Sequence, residues 1–168
     1  MMLDFILFWR TGQRESEDFL TFANKYPLFQ HPSASGFITN FVYPKFWNKL
    51  NSRLIESMLS FDGVFFTVGC HPHFAQDMFR FKNFEFMKHL VSSRNGKLVG
   101  IGECGLDTSP KNKTSMNKQI EVFQFQIRLA VQFKKAIVLH IRGAEKEALG
   151  VLEELPHDWP IHRYDLTK

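Results

Sequence analysis

The chain has 168 residues, 44% of them hydrophobic and 23% charged, with 21 Lys and Arg against 17 Asp and Glu for a net charge of +4. That length suits one domain and is too short for a complete eight-stranded β/α barrel, which takes roughly 250 residues. The small basic excess permits a polyanionic partner without requiring one, the two cysteines exclude a disulfide framework and fit a reducing compartment, and no apolar run reaches membrane-spanning length.

The opening stretch Met1–Trp9 is apolar but lacks a basic leader and a small-residue cleavage site, so it reads poorly as a signal peptide. The expectation is an intracellular protein, cytoplasmic or nuclear, with no membrane contact. Gly36–Val42 is the first strand-like run. Phe46, Leu50, Leu54, Ile55 and Met58 then follow helical spacing. A second strand-like run covers Val64–Val68, and the segment from Gln76 to Val91, rich in Phe, Met and Leu, reads as helical. Leu98–Glu103 is a third apolar run. Pro110 and the polar stretch Lys111–Ser115 form a loop. Met116, Ile120, Phe123, Ile127 and Ala130 mark the clearest amphipathic helix. Ala136–Ile141 is a fourth strand, Ala144 to Leu155 a helix stopped by Pro156, and Ile161–His162 a strand stub. Strands alternating with helices of this length predict an α/β fold with a parallel sheet. No low-complexity linker divides residues 1–168, so they read as a single domain.

Three of the strand-like runs finish in groups that suit metal or phosphate. Phe65-Phe-Thr-Val-Gly-Cys-His-Pro-His73 ends in two histidines. Gly100-Ile-Gly-Glu-Cys-Gly-Leu-Asp107 ends in carboxylates set among glycines. Ala136-Ile-Val-Leu-His-Ile-Arg142 ends in a histidine and an arginine. Parallel β/α folds assemble one site from several strand ends in this way. Glu103 is the strongest candidate, a carboxylate placed between apolar elements; the plain alternative is an ordinary polar residue at a strand end. His140 alone reads equally as structural or as a ligand. Arg142, two residues on, shares its side of the strand and offers a fork that matches two phosphate oxygens, or else a salt bridge to a helix carboxylate. Asp107 either orients a neighbouring ligand or caps the following turn. Cys70 and Cys104 read as small core residues.

The motifs GCHPH, GECGLD and VLHIRGA, in this order and at these spacings, resemble the TatD family of metal-dependent deoxyribonucleases, over about Ser35 to Arg163. The resemblance implies a partial (β/α) TIM-barrel-like parallel sheet with flanking helices. It implies a divalent metal cofactor (Mg or Mn, with Zn a further option) in a two-ion site, DNA as partner, and hydrolysis of phosphodiester bonds. Glu103 and His140 then hold metal, Glu103 and His71 are catalytic, and Arg142, His73 and Asp107 contact substrate. Both ends depart from the pattern. The family's first strand ends in a His-x-His pair followed by Leu-Asp; Leu3-Asp4 fits that tail, which puts Met2 at the second histidine and leaves the strand absent. Tyr164 stands where a further histidine ligand belongs, and a later aspartate has no counterpart. The expectation is an incomplete domain lacking the first strand and the C-terminal strands, with exposed sheet edges open to self-association and with weakened or absent activity. Two alternatives stay open: a catalytically dead module that binds or dimerises, and a related amidohydrolase acting on a small molecule.

Overall fold

A computed structural model describes residues 5–7, 37–45, 47, 60, 62–80, 82–92 and 96–164. Six strands form one sheet in the order β1-β2-β3-β4-β5-β6, every neighbouring pair parallel. They are β1 (Phe5–Leu7), β2 (Phe37–Phe41), β3 (Val64–Val68), β4 (Leu98–Asp107), β5 (Ala136–Arg142) and β6 (Ile161–Tyr164). A 3-10 turn over Pro72–Phe74 leads from β3 into α1 (Ala75–Met78), followed by α2 (Asn83–Ser92), α3 (Met116–Phe133) and α4 (Glu145–Leu152). Sequential parallel order with helical crossovers is the arrangement of a β/α barrel wall.

The core lies between sheet and helices. Val68, Ile101, Cys104, Leu106 and Ile137 from the strands meet Val122, Phe123, Ile127 and Ala130 from α3. α3 is the element that seats β4, and it ends where Lys134 turns into the left-handed region at φ 52°, its N–H capping the carbonyls of Ala130 and Val131. This stop lets the chain drop straight into β5, and Lys135 reaches back to donate from Nζ to the Leu98 carbonyl at the start of β4.

β4 contains the irregularity that matters for function. Gly102 pairs with Val138 and Cys104 with Leu139, so Glu103 is skipped by the ladder. A bulge of this kind changes the strand's parity. Ile101 before it, and Cys104 and Leu106 after it, all enter the core, while Glu103, Gly105 and Asp107 are left sharing the opposite face. Gly105 pairs with His140, so His140 looks onto that face too. Gly105 sits at φ +143°, and a Cβ there would stand 2.1 Å from the His140 carbonyl oxygen. Close approach of the two strands requires glycine.

The sheet holds one strand that the sequence reading did not assign: Phe5–Leu7 pairs with β2. It follows Leu3-Asp4, so it is not the strand that the resemblance places before them. Two expectations change. β4 extends four residues past Glu103, because Gly105 tolerates the strained backbone and the Asp107 peptide finds partners on α3. The helical segment from Gln76 to Val91 is two helices, broken where Lys82 takes φ 59°. The helix expected over Phe46–Met58 lies outside the described residues.

Candidate metal centre

The C-terminal ends of β3, β4 and β5 bring His71, Glu103 and His140 together, with one ligand atom of each lying within 4.8 Å of the others. Each arrives by a different local device. The bulge turns Glu103 inward. His140 is carried by β5 next to Gly105, where no side chain competes for the space. His71 leaves β3 just ahead of Pro72, and its Nδ1 accepts a hydrogen bond from the His73 backbone N–H at 3.2 Å, which fixes the ring over the turn. The His71 and His140 rings stand 4.2 Å apart.

Hydrogen bonding decides which nitrogen faces the centre. The Asp107 carboxylate is 2% exposed. Its Oδ2 lies 3.0 Å from His140 Nε2 and 2.9 Å from His73 Nε2, and its Oδ1 accepts from the Ser109 backbone N–H at 2.6 Å. Burial alone would raise its pKa, but the bonds from Ser109, His140 and His73 hold it well below the usual carboxylate range. An ionised Asp107 makes His140 Nε2 a donor, so the lone pair of neutral His140 is on Nδ1. That atom is buried without a hydrogen-bond partner and lies 3.9 Å from Glu103 Oε2. Glu103 Oε1 is likewise buried and unpartnered. Two buried acceptor atoms without partners, on side chains 3.9 Å apart, carry a desolvation cost that a cation removes. The donor set, a carboxylate oxygen and an imidazole nitrogen oriented by a second carboxylate, fits a divalent metal ion.

His71 is a different case. Because its Nδ1 accepts, the neutral ring carries its proton on Nε2, the atom 3.8 Å from Glu103 Oε2. It presents a donor to the centre. Burial, with His140 and His73 adding to it, pushes its pKa down to about 3, so the ring is neutral at ordinary pH. Burial lowers His140 as well, against the pull of Asp107, and pushes Glu103 up to about 7.

Residues 18–167 match the family model described as TatD related DNase. The chain belongs to the TatD family. It is 37% identical over 133 residues to the human protein named 3'-5' RNA nuclease TATDN2, covering 79% of this chain and 17% of that protein. It is 34% identical over 103 residues to a Bacillus subtilis protein named uncharacterized metal-dependent hydrolase YabD, covering 61% of this chain and 39% of that one. Among solved structures, the TatD homologue YJJV from Escherichia coli superposes with a TM-score of 0.63 at 18% identity, over 79% of this chain and 50% of its own. This TatD-family chain thus matches well under two thirds of the length of these relatives.

Of the residues expected at the site, this TatD-family sheet gathers Glu103, His140, His71, Asp107 and His73. Asp107 is buried with both oxygens engaged, and His73, half-buried, spends Nε2 on it. Arg142 pairs with Asp107 across the ladder and is exposed. In β6 the backbone of Tyr164 is level with His140 and that of His162 with Val138. His162 lies two residues below the level of His140 and is exposed. Sequence reasoning missed Gln119 and Gln126, whose side chains bond the strand ends. Their signal was present: two polar residues seven apart on the apolar face of the Met116–Phe133 helix.

Proposed function

We propose that the chain is a metal-dependent phosphodiesterase acting on nucleic acid. The observation that carries this reading is the pair of buried, unpartnered acceptors, Glu103 Oε1 and His140 Nδ1, with His140 oriented by ionised Asp107. Glu103 and His140 are the residues that would hold a divalent ion, and the ion supplies Lewis acidity toward a phosphoryl oxygen. The rest is done by side chains of the chain itself. His71 Nε2–H, neutral and aimed at the centre, donates to a phosphodiester oxygen. Arg142, exposed at the end of β5, pairs its fork of donors with the phosphate. Asp107 keeps His140 in one tautomer, and His73 helps to hold Asp107 ionised. Support for the substrate class comes from the relatives' names, which include an RNA nuclease; Mg, Mn and Zn all remain compatible with an oxygen–nitrogen donor pair.

Among the described residues the centre offers two lone-pair ligands, where hydrolytic sites commonly use three or more. Weak ion binding and slow turnover are therefore part of the reading. The test compares the purified chain with Glu103→Ala on labelled single-stranded DNA and RNA, titrating magnesium or manganese. Cleavage that depends on the metal and vanishes in Glu103→Ala is the expected result. Failure to cut either polymer at any metal concentration, or cutting that survives the substitution, would overturn it.

A further inference from the structure

The 18-residue helix α3 carries Gln119 and Gln126 on the face it buries with Val122, Phe123 and Ile127. They are 2% and 1% exposed. A buried carboxamide is costly unless its donor and its acceptor are both met, and here a single backbone residue meets both in each case. The Cys70 N–H donates to Gln126 Oε1 at 2.7 Å, and Gln126 Nε2 donates to the Cys70 carbonyl at 3.2 Å. The Asp107 N–H donates to Gln119 Oε1 at 2.9 Å, and Gln119 Nε2 donates to the Asp107 carbonyl at 3.3 Å and to that of Thr114 at 2.8 Å. A glutamine amide has the same donor and acceptor as a peptide group, so each side chain adds one rung where a strand has run out of neighbours.

The two clasped residues are not arbitrary. Cys70 immediately precedes His71, and Asp107 is the carboxylate that fixes His140. Seven helical residues rise about 10 Å, so one rigid helix sets the spacing between the two strand ends. We propose that Gln119 and Gln126 are positioning residues with separate tasks: Gln126 aims His71 at the substrate side, and Gln119, through Asp107, sets His140 for the ion. This rests on the division of roles in the proposed function.

The test uses the full chain with Gln119→Met and Gln126→Met, which keep size and remove both bonds. The milder Gln119→Asn and Gln126→Asn stay polar but fall short by one methylene. Manganese affinity is measured by calorimetry, and the ring nitrogens of His71 and His140 by NMR, which separates the protonated from the bare nitrogen. Gln119 variants are expected to weaken manganese binding about tenfold or more and to disturb the His140 signals while His71 keeps its own. Gln126 variants are expected to turn His71 from a single Nε2–H form into a mixture, with manganese affinity within about twofold of wild type. Parallel loss in both pairs of variants, no change in either, or unfolding of the Asn variants as well as the Met ones would each overturn the division of tasks. A wild-type chain that binds no manganese would count against the proposed function instead, and the NMR comparison would still decide the inference.

Discussion

Glu103 is a carboxylate kept where its charge is unwelcome. Burial raises its pKa from the ordinary 4.5 to about 7, so the folded chain binds this proton more tightly than the unfolded one. Its contribution to the metal-free fold is complete below pH 4.5 and is lost as pH rises through about 7, a swing on the order of 3 kcal/mol. His71, pushed down to about 3, has the opposite sign: its contribution is present above pH 6.5 and declines as pH falls. Glu103→Gln removes only the first effect. In chelator at pH 8 the variant should melt several degrees above wild type, and at pH 5 the two should nearly coincide. Manganese at pH 8 should raise the wild-type melting temperature and leave that of the variant unchanged. An equal gain for the variant at both pH values would show that the buried charge is not the cause.

β4 is the element on which fold and chemistry meet. Gly105→Ala would place a Cβ 2.1 Å from the His140 carbonyl at a φ of +143°, and strain of that kind costs roughly 3 kcal/mol. The urea midpoint should drop accordingly and manganese affinity should fall with it, since the carbonyl that must move belongs to His140; a loss below about 1 kcal/mol would mean that the strands separate easily. The same element shows what a sequence can and cannot reveal. Val64–Val68 was legible to the residue, because an unbroken β-branched and aromatic run has one sensible reading. Beyond Glu103 the signals were wrong for a strand: Gly105 reads as a turn and Asp107 as a cap. What overrides them is tertiary, namely Gln119 satisfying the Asp107 peptide. Glu103, His140 and His71 were legible as a set because each terminates its own apolar run. His73 was legible as a residue but not as a role, and the orienting role of Asp107 was legible only as one of two alternatives, since the hydrogen bonds of Asp107 to His73 and His140 span more than 30 positions in sequence.

For the molecule as a whole, the sheet order begins with β1 and ends with β6 among the described residues. β6 presents Ile161 at 45% exposure, and an exposed apolar strand at a sheet margin invites pairing between chains. If that strand pairs between chains, sedimentation velocity over rising concentration will show self-association that Ile161→Lys reduces; a wild-type chain that stays monomeric at high concentration would remove the idea. No described helix is long and apolar enough to cross a membrane. The skipped position in β4 also bears on how such a protein changes over generations. Gly102 and Cys104 pair with consecutive residues of β5, so the hydrogen-bonded lattice has no use for the residue between them. An in-frame loss of that one codon would leave the pairing continuous and take away the carboxylate at the centre. Sheet and centre in this chain are thus heritable almost independently, and a lineage could lose the Glu103 carboxylate while keeping the sheet.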